Sequence, residues 1–90
     1  MAISKNLEIE NGLSLNGAYI RIDSVSGSKN SLVISANAYT SKESFLQGNE
    51  YLKNNIYQFI PSVEDNSENF IKQGYEYLKS LEEYKDAIDV

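Results

Sequence analysis

The stretch Glu64–Val90 reads EDNSENFIKQGYEYLKSLEEYKDAIDV and decides what kind of fold the chain can form. Its apolar residues recur at three- and four-residue spacing, which places them on one side of a helix. We therefore predict a single amphipathic helix over roughly residues 65–81, followed by an acidic tail at 82–90. The stripe consists of Phe70, Gly74, Tyr77, Leu78 and Leu81, widened by Ile71 and Tyr75.

The predicted start of this helix has two candidate caps. Asp65 is followed three residues later by Glu68, which resembles a capping box, and Ser67 is the competing cap. Gly74 costs about 1 kcal/mol of helix propensity relative to alanine. Because it lies on the apolar stripe, a close approach of the helix to a sheet is the simplest compensation. The residues predicted to make this helix–sheet contact are Phe70, Gly74 and Leu78.

The residues before the helix show the two-residue alternation of β-strands. Ala36 and Ala38 in the clearest strand leave room for the helix to pack on that face. The fold class expected is α+β: a single domain over residues 1–90, with a small antiparallel, meander-like β-sheet packed by one C-terminal α-helix. The four predicted strands cover roughly residues 4–10, 18–26, 31–40 and 51–60.

Three segments between these elements are less regular. Asn11-Gly12 is a turn dipeptide, but a tight two-residue hairpin there would place apolar residues opposite polar ones, so a bulge or a longer connection is favoured. Residues 40–50 have no clean period and are predicted to be a loop with one helical turn. Residues 51–60 also fit one face of a helix, although their aromatic and β-branched content and the stop at Pro61 favour a strand.

The composition removes most catalytic chemistry. The chain has 90 residues with neither cysteine nor histidine, so Ser-His and Cys-His nucleophilic pairs are excluded. The glycine spacing matches no phosphate-binding loop or dinucleotide fingerprint. The remaining candidates for a metal or acid–base site are carboxylates that a solvated helix end explains as well: Glu82, Glu83, Asp86 and Asp89. We predict no catalytic, metal or cofactor-binding residue, no cofactor, and no enzymatic activity.

The charge is concentrated in one part of the chain. The net charge is −5, and residues 64–90 hold eight acids against three lysines while the rest is balanced. An acidic surface repels phosphate, so nucleic acid is not an expected partner. No apolar run approaches the length of a membrane span, and no secretory signal is visible. We expect neither a membrane partner nor export, and synthesis in the cytoplasm.

Seven tyrosines are the one compositional excess and point to protein contacts. Tyr19 and Tyr39 lie on the strand face opposite the alanines, where they either form an exposed contact surface or pack as a satellite core. Tyr84, Ile88 and Val90 bring apolar groups into the tail, which docks on its own domain or on a neighbouring subunit. These five residues are the predicted interface.

So short a chain without disulfide or zinc staples depends on either a compact core or self-association for its stability. We expect self-association, and the alternative is a marginally stable monomer. A sheet of four antiparallel strands has two edges, and edges pair readily unless they are protected. Lys53 in the last predicted strand could be such a protecting charge.

Several segments together resemble a family of small phage and prophage proteins. The segments are GAYIRIDSVSG at 17–27, LVISANAY at 32–39, the FIPS strand end at 59–62 and QGYEYLKSLEEYKDAIDV at 73–90. The last is the most distinctive. Members are encoded among the tail and baseplate genes of siphophages that infect Gram-positive bacteria. The chain departs from the family pattern in lacking a proline after Leu81, which leaves open whether the helix stops there or continues.

The resemblance implies a non-enzymatic structural or assembly role. Such a protein is made in the host bacterial cytoplasm and joins a tail complex in the virion, with copies of itself or other phage tail proteins as partners. The alternative is a small cytoplasmic prophage protein that binds a host or phage protein as an assembly chaperone or modulator. Self-association and presence in the finished particle distinguish the two.

Overall fold

The computed structural model describes residues 2–8, 12 and 14–90. Five strands and two α-helices occur in these ranges. In chain order they are β1 (Ile3–Glu8), β2 (Ser14–Ser28), β3 (Ser31–Tyr39), α1 (Lys42–Leu46), β4 (Lys53–Phe59), α2 (Phe70–Ser80) and β5 (Ile88–Asp89). A 3-10 turn at Glu82–Tyr84 separates α2 from β5.

The strands form one antiparallel sheet in the order β4-β3-β2-β1-β5. The α+β class, an antiparallel sheet packed by one main helix, is confirmed. The sheet has five strands rather than the four predicted because the acidic tail adds β5 beside β1. The two-residue length of β5 explains why periodicity missed it, since two residues show no alternation.

β1 and β2 pair in the register that the apolar pattern requires. Leu7 lies opposite Leu15 and Glu8 opposite Ser14, with a register shift between Lys5 and Leu7. A tight turn at Asn11-Gly12 would have placed Leu7 opposite a polar residue, so the apolar pairing is favoured over it. The predicted strand residues Ile9 and Glu10, together with Asn11 and Leu13, lie outside the described residues.

The β2–β3 hairpin is tight and carries a bulge. Ser28 pairs with Ser31 across a two-residue turn. Gly27 beside it has a φ of 125°, and a Cβ atom there would meet the Ser31 carbonyl oxygen, so only glycine fits. The register shifts between Ile22 and Ser24, which makes Asp23 the extra residue of a β-bulge.

The segment after β3 contains the predicted helical turn, and the next segment is a strand. Ser41 caps α1 by accepting a hydrogen bond from the Ser44 backbone N–H at 3.0 Å. β4 pairs with β3 along its whole length, so the helical alternative for residues 51–60 is wrong. Partnership with β3 decides this, because the local apolar spacing fits both structures.

The start of the main helix is corrected from about residue 65 to Phe70. Asn69 is the cap, accepting from the Lys72 N–H at 2.8 Å, rather than Asp65 or Ser67. The Gln73 side chain holds the preceding loop by donating to the carbonyl oxygens of Ser62 and Glu68. Those hydrogen bonds hold the segment before Asn69 as a loop, so the helix begins after it.

α2 packs on the sheet through its small and apolar residues. Gly74 and Leu78 are buried as predicted, and a Cβ atom on Gly74 would lie 2.7 Å from Ile22 Cδ1. The prediction that Phe70 is buried between the helix and the sheet is wrong, since Phe70 is 38% exposed in the first turn of the helix. Tyr75 is the fully buried aromatic residue of α2 instead. The core between α2 and the sheet comprises Ile3, Ile20, Ile22, Ile34, Ala36, Ala38, Tyr75, Leu78 and Tyr84.

The helix ends at Ser80, since Leu81 is extended and caps it. The carboxylate pairs Glu82/Asp86 and Asp86/Asp89 would share a helical face only if the helix continued, and it does not. Within the described ranges, no group of three acidic side chains is arranged to hold a metal ion.

Candidate protein-interaction site

Tyr19 and Tyr39, the predicted exposed face, are buried. They are 8% and 6% exposed, because α1 lays Phe45 over them with ring centroids 5.9 and 5.0 Å away. The prediction that these two rings form an open contact surface is therefore wrong, and the satellite-core alternative holds. The sequence signal for this packing was Ser41. Its side chain caps α1, the short helix that places Phe45 over the two rings.

Tyr84 is also buried, on the helix side of the sheet. The Tyr84 hydroxyl lies 3.0 Å from the Tyr57 hydroxyl. The Tyr57 hydroxyl donates to Glu83 Oε1 at 2.9 Å, so it accepts the hydrogen bond from Tyr84. Burial, followed by these two hydrogen bonds, raises the pKa of Tyr57 well above its usual range. Tyr84 therefore anchors the tail within its own domain and is removed from the interface prediction.

Ile88 and Val90 remain exposed and lie in and beside β5. Ile88 pairs with Ser4, and the Val90 N–H donates to the Ala2 carbonyl oxygen at 3.0 Å. These contacts show that the tail docks on its own domain, which is one of the two predicted alternatives. The backbone of the segment is used for that docking, while its two apolar side chains face outward.

The sheet face opposite α2 carries a polar cluster centred on Asp23 in the bulge. Its carboxylate accepts from Arg21 Nε at 2.7 Å, Asn37 Nδ2 at 2.8 Å and the Tyr39 hydroxyl at 2.5 Å. Burial, then the hydrogen bond to Asp23 and its negative charge, raise the pKa of Tyr39 to about 12. The Arg21 guanidinium also lies 4.0 Å from the centre of the Phe45 ring. Three donors on one carboxylate make this a stabilising cluster rather than a reactive one.

The cluster continues to the edge of the sheet. Asn54 on β4 donates to Asn37 Oδ1 at 2.5 Å and to Ser35 Oγ at 2.6 Å. Further along the same face, Gln58 donates to Ser31 Oγ at 2.5 Å. Ile56 lies between the two amides and is 60% exposed. The outward face of β4 is thus ordered, with one apolar side chain at its middle.

The long edge of β4 is one of the two sheet edges that the sequence predicted, and Lys53, the expected protecting charge, is only its first residue. No described strand pairs with its outer side. Lys53 is its one charged residue, and Leu52, Ile56 and Ile60 are exposed apolar residues within or next to it. Their four-residue spacing also fits one face of a helix, which is the basis of the helical alternative for residues 51–60. Their exposure could have been inferred from Ile56, which alternates with Tyr57 and Phe59 and therefore faces away from the core.

The inner face of β4 holds the strand in place. Phe59 stacks on Tyr77 of α2 with ring centroids 5.0 Å apart, and Tyr57 contacts both Tyr77 and Tyr84. A strand anchored on one face and along one edge presents its other edge in a defined position. A pre-ordered edge loses little conformational entropy on pairing.

A second exposed apolar patch lies at the start of α2, where Val25, Phe70 and Ile71 line a shallow depression. It is separate from β4, and it provides a matched control for substitutions at the sheet edge. Ile71 is 51% exposed, close to the exposure of Ile56.

No protein-family model, curated protein or solved structure matches the chain. Across the described ranges, no helix combines the length and apolar character that a membrane crossing requires.

Proposed function

We propose that the chain is a non-enzymatic structural or assembly protein that self-associates through the free edge of β4. The observation that carries the proposal is an ordered seven-residue edge strand with one charge and an exposed isoleucine at its centre. Unpaired strand edges are templates for pairing with another chain, and proteins normally protect them with charges, bulges or prolines. Lys53 lies at the end of β4, so most of the strand carries no such protection.

The proposal moves the interface away from the tyrosine face. Tyr19, Tyr39 and Tyr84 are buried, and β5 already covers part of β1 at Ile3 and Ser4. β4 has the longer run of unpaired backbone and the larger number of exposed apolar neighbours. It therefore replaces the tail as the principal contact.

The test is the mass in solution, measured by size-exclusion chromatography with light scattering over a range of concentrations. We expect a discrete oligomer that Ile56→Lys converts to a monomer, because the substitution adds a charge in the middle of the contact. Ile71→Lys, the matched control on α2, should keep the oligomer. A monomer at every concentration would contradict self-association. Dissociation by Ile71→Lys but not by Ile56→Lys would contradict the choice of β4.

The phage-tail setting is a separate part of the proposal. It is supported by the resemblance of residues 73–90 to the siphophage family. Mass spectrometry of tail particles purified from an induced lysate of the cells that carry the gene tests it. We expect the chain in the particles at a fixed ratio to the other tail proteins. Its presence in the lysate but not in the particles would favour the assembly-chaperone alternative.

A further inference from the structure

We propose that two copies of this chain pair antiparallel through β4, about a twofold axis that passes beside Ile56. The inference rests on the self-association proposed above and adds the partner, the register and the symmetry. Two five-stranded sheets would then join edge to edge into one continuous sheet. Each copy uses the same strand, so the contact closes on itself instead of propagating.

The register follows from the length of β4. Ile56 is the middle residue of Lys53–Phe59, and pairing Ile56 with its own symmetry copy lets all seven residues find a partner. A shift of two residues in either direction leaves two residues at one end of each strand unpaired. It also places Ile56 opposite Asn54 or Gln58, an apolar side chain against an amide.

The centred register is chemically self-complementary. It opposes Asn54 to Gln58 of the second copy on one side of Ile56, and repeats the pair on the other. Side-chain amides both donate and accept, so each pair can hydrogen-bond, and direct cross-strand neighbours stabilise a sheet. The Asn54 amide is already held by Asn37 and Ser35, so the polar cluster would extend across the joint.

The β4 residues on the α2 side of the sheet also oppose compatible partners in the centred register. Asn55 would oppose Tyr57, and Lys53 would oppose Phe59 of the second copy, which places a cation beside an aromatic ring. No like charges meet, because β4 carries only Lys53. A parallel pairing in the same register would bring the two Lys53 side chains together, which is unfavourable.

The twofold arrangement also brings equivalent faces of the two sheets to the same side. A twofold axis perpendicular to the sheet keeps the same side of both copies uppermost. Both α2 helices would then cover one face of the joined sheet, and both Ile56 side chains would meet on the other. Pairing β4 with the opposite edge of another copy would instead be heterologous and open-ended, and β5 occupies part of that edge.

Single cysteines test the register directly, since the chain has none of its own. Opposed residues of an antiparallel pair have Cα atoms about 4.5–5.5 Å apart, within the range that a disulfide spans. Under mild oxidation, Ile56→Cys should form a disulfide-linked dimer with itself. A mixture of Asn54→Cys and Gln58→Cys should do the same.

The cysteine variants at residues 54 and 58, each tested alone, decide whether the register is correct. Asn54→Cys alone should not cross-link, because the two copies of residue 54 would lie four residues apart along the strand, roughly 13 Å. Gln58→Cys alone should behave identically. Glu76→Cys, on the exposed side of α2, measures the background from random collisions, and urea midpoints confirm that each variant is folded.

The outcomes separate this inference from the proposed function. Cross-linking of Ile56→Cys and of the mixture, with the unmixed variants at the Glu76→Cys background, supports the twofold register. Efficient cross-linking of Asn54→Cys alone, or none of Ile56→Cys, in a protein that light scattering shows to be oligomeric overturns the register while self-association stands. A monomer by light scattering overturns both.

Discussion

At Gly74, α2 packs closely against the sheet. A Cβ atom there would lie 2.7 Å from Ile22 Cδ1 and 3.6 Å from Ile34 Cγ2. The first distance is too short for ordinary contact, but Ile22 Cδ1 is the free end of a flexible side chain. The site therefore accepts small changes by moving one methyl group, and has no volume for a large side chain.

Gly74→Leu is expected to lower the free energy of unfolding by about 1–3 kcal/mol, the usual cost of overpacking a core. Gly74→Ala should cost much less, because alanine favours the helix by about 1 kcal/mol and only Ile22 must shift. Urea denaturation measures both. Glu76→Leu, on the exposed side of α2, is the control and should be close to neutral. An unchanged midpoint for Gly74→Leu would contradict the close approach.

Tyr75 satisfies a backbone group beside the bulge. The Ile22 N–H donates to its hydroxyl at 2.8 Å in a buried position. Tyr75→Phe should therefore destabilise the domain by about 1–3 kcal/mol, the cost of a buried donor without an acceptor. Tyr77→Phe is the matched control, because none of the described hydrogen bonds involves the Tyr77 hydroxyl. Equal urea midpoints for the two variants would show that the Tyr75 bond contributes nothing.

β5 and the 3-10 turn before it together hold the C-terminal segment against β1. Tyr84 is the buried anchor, and the backbone of β5 pairs with Ile3 and Ser4. Lys79 of α2 reaches Asp89 at 3.0 Å. These contacts cover the Ile3–Ser4 part of the β1 edge, so β4 has the longer unpaired edge.

Removal of residues 88–90 should lower the free energy of unfolding on the order of 1–3 kcal/mol, since each backbone hydrogen bond contributes about 0.5–1.5 kcal/mol net. The oligomeric mass should not change, because β4 is at the opposite edge. Asp89→Ala removes only an exposed ion pair and should cost about 0–1 kcal/mol. Loss of the oligomer in the shortened chain, with the fold intact by circular dichroism, would return the tail to the interface.

For the whole molecule, the buried phenols link stability to pH. The pKa of Tyr39 is raised from 10.0 to about 12, and burial also raises the pKa of Tyr75. The unfolded chain loses these protons from about pH 10, whereas the folded state holds the Tyr39 proton until about pH 12. Their contribution to stability is therefore complete below pH 10 and is lost as the pH rises through the folded-state values.

Urea midpoints should be flat up to about pH 10 and fall between there and pH 12. Tyr39→Phe should make that fall shallower, because one linked phenol is gone, even though its midpoint at neutral pH is lower. The ultraviolet absorbance of phenolate, recorded along the same titration, reports when the tyrosines ionise. A fall that is equally steep in Tyr39→Phe would remove Tyr39 as a cause.

Much of the architecture could be predicted from local pattern. Two-residue alternation identified the main strands, and three- and four-residue spacing with Gly74 on the stripe placed α2 against the sheet. These features depend on neighbours along the chain, so periodicity reports them. The start of α2 could not be placed in this way, because Asp65, Ser67 and Asn69 are all good caps and the Gln73 contacts with the loop choose among them.

The amino-acid sequence was enough to predict the α+β class, the absence of histidine and cysteine chemistry, and the concentration of negative charge in residues 64–90. It could not show which tyrosines are covered, how the tail docks or which edge stays free. Those properties depend on contacts between residues far apart in the sequence: Phe45 over Tyr19, Tyr84 against Tyr57, and β5 beside β1. A strand's pattern shows which side chains point inward, and the neighbours that the fold supplies decide whether its edge is paired.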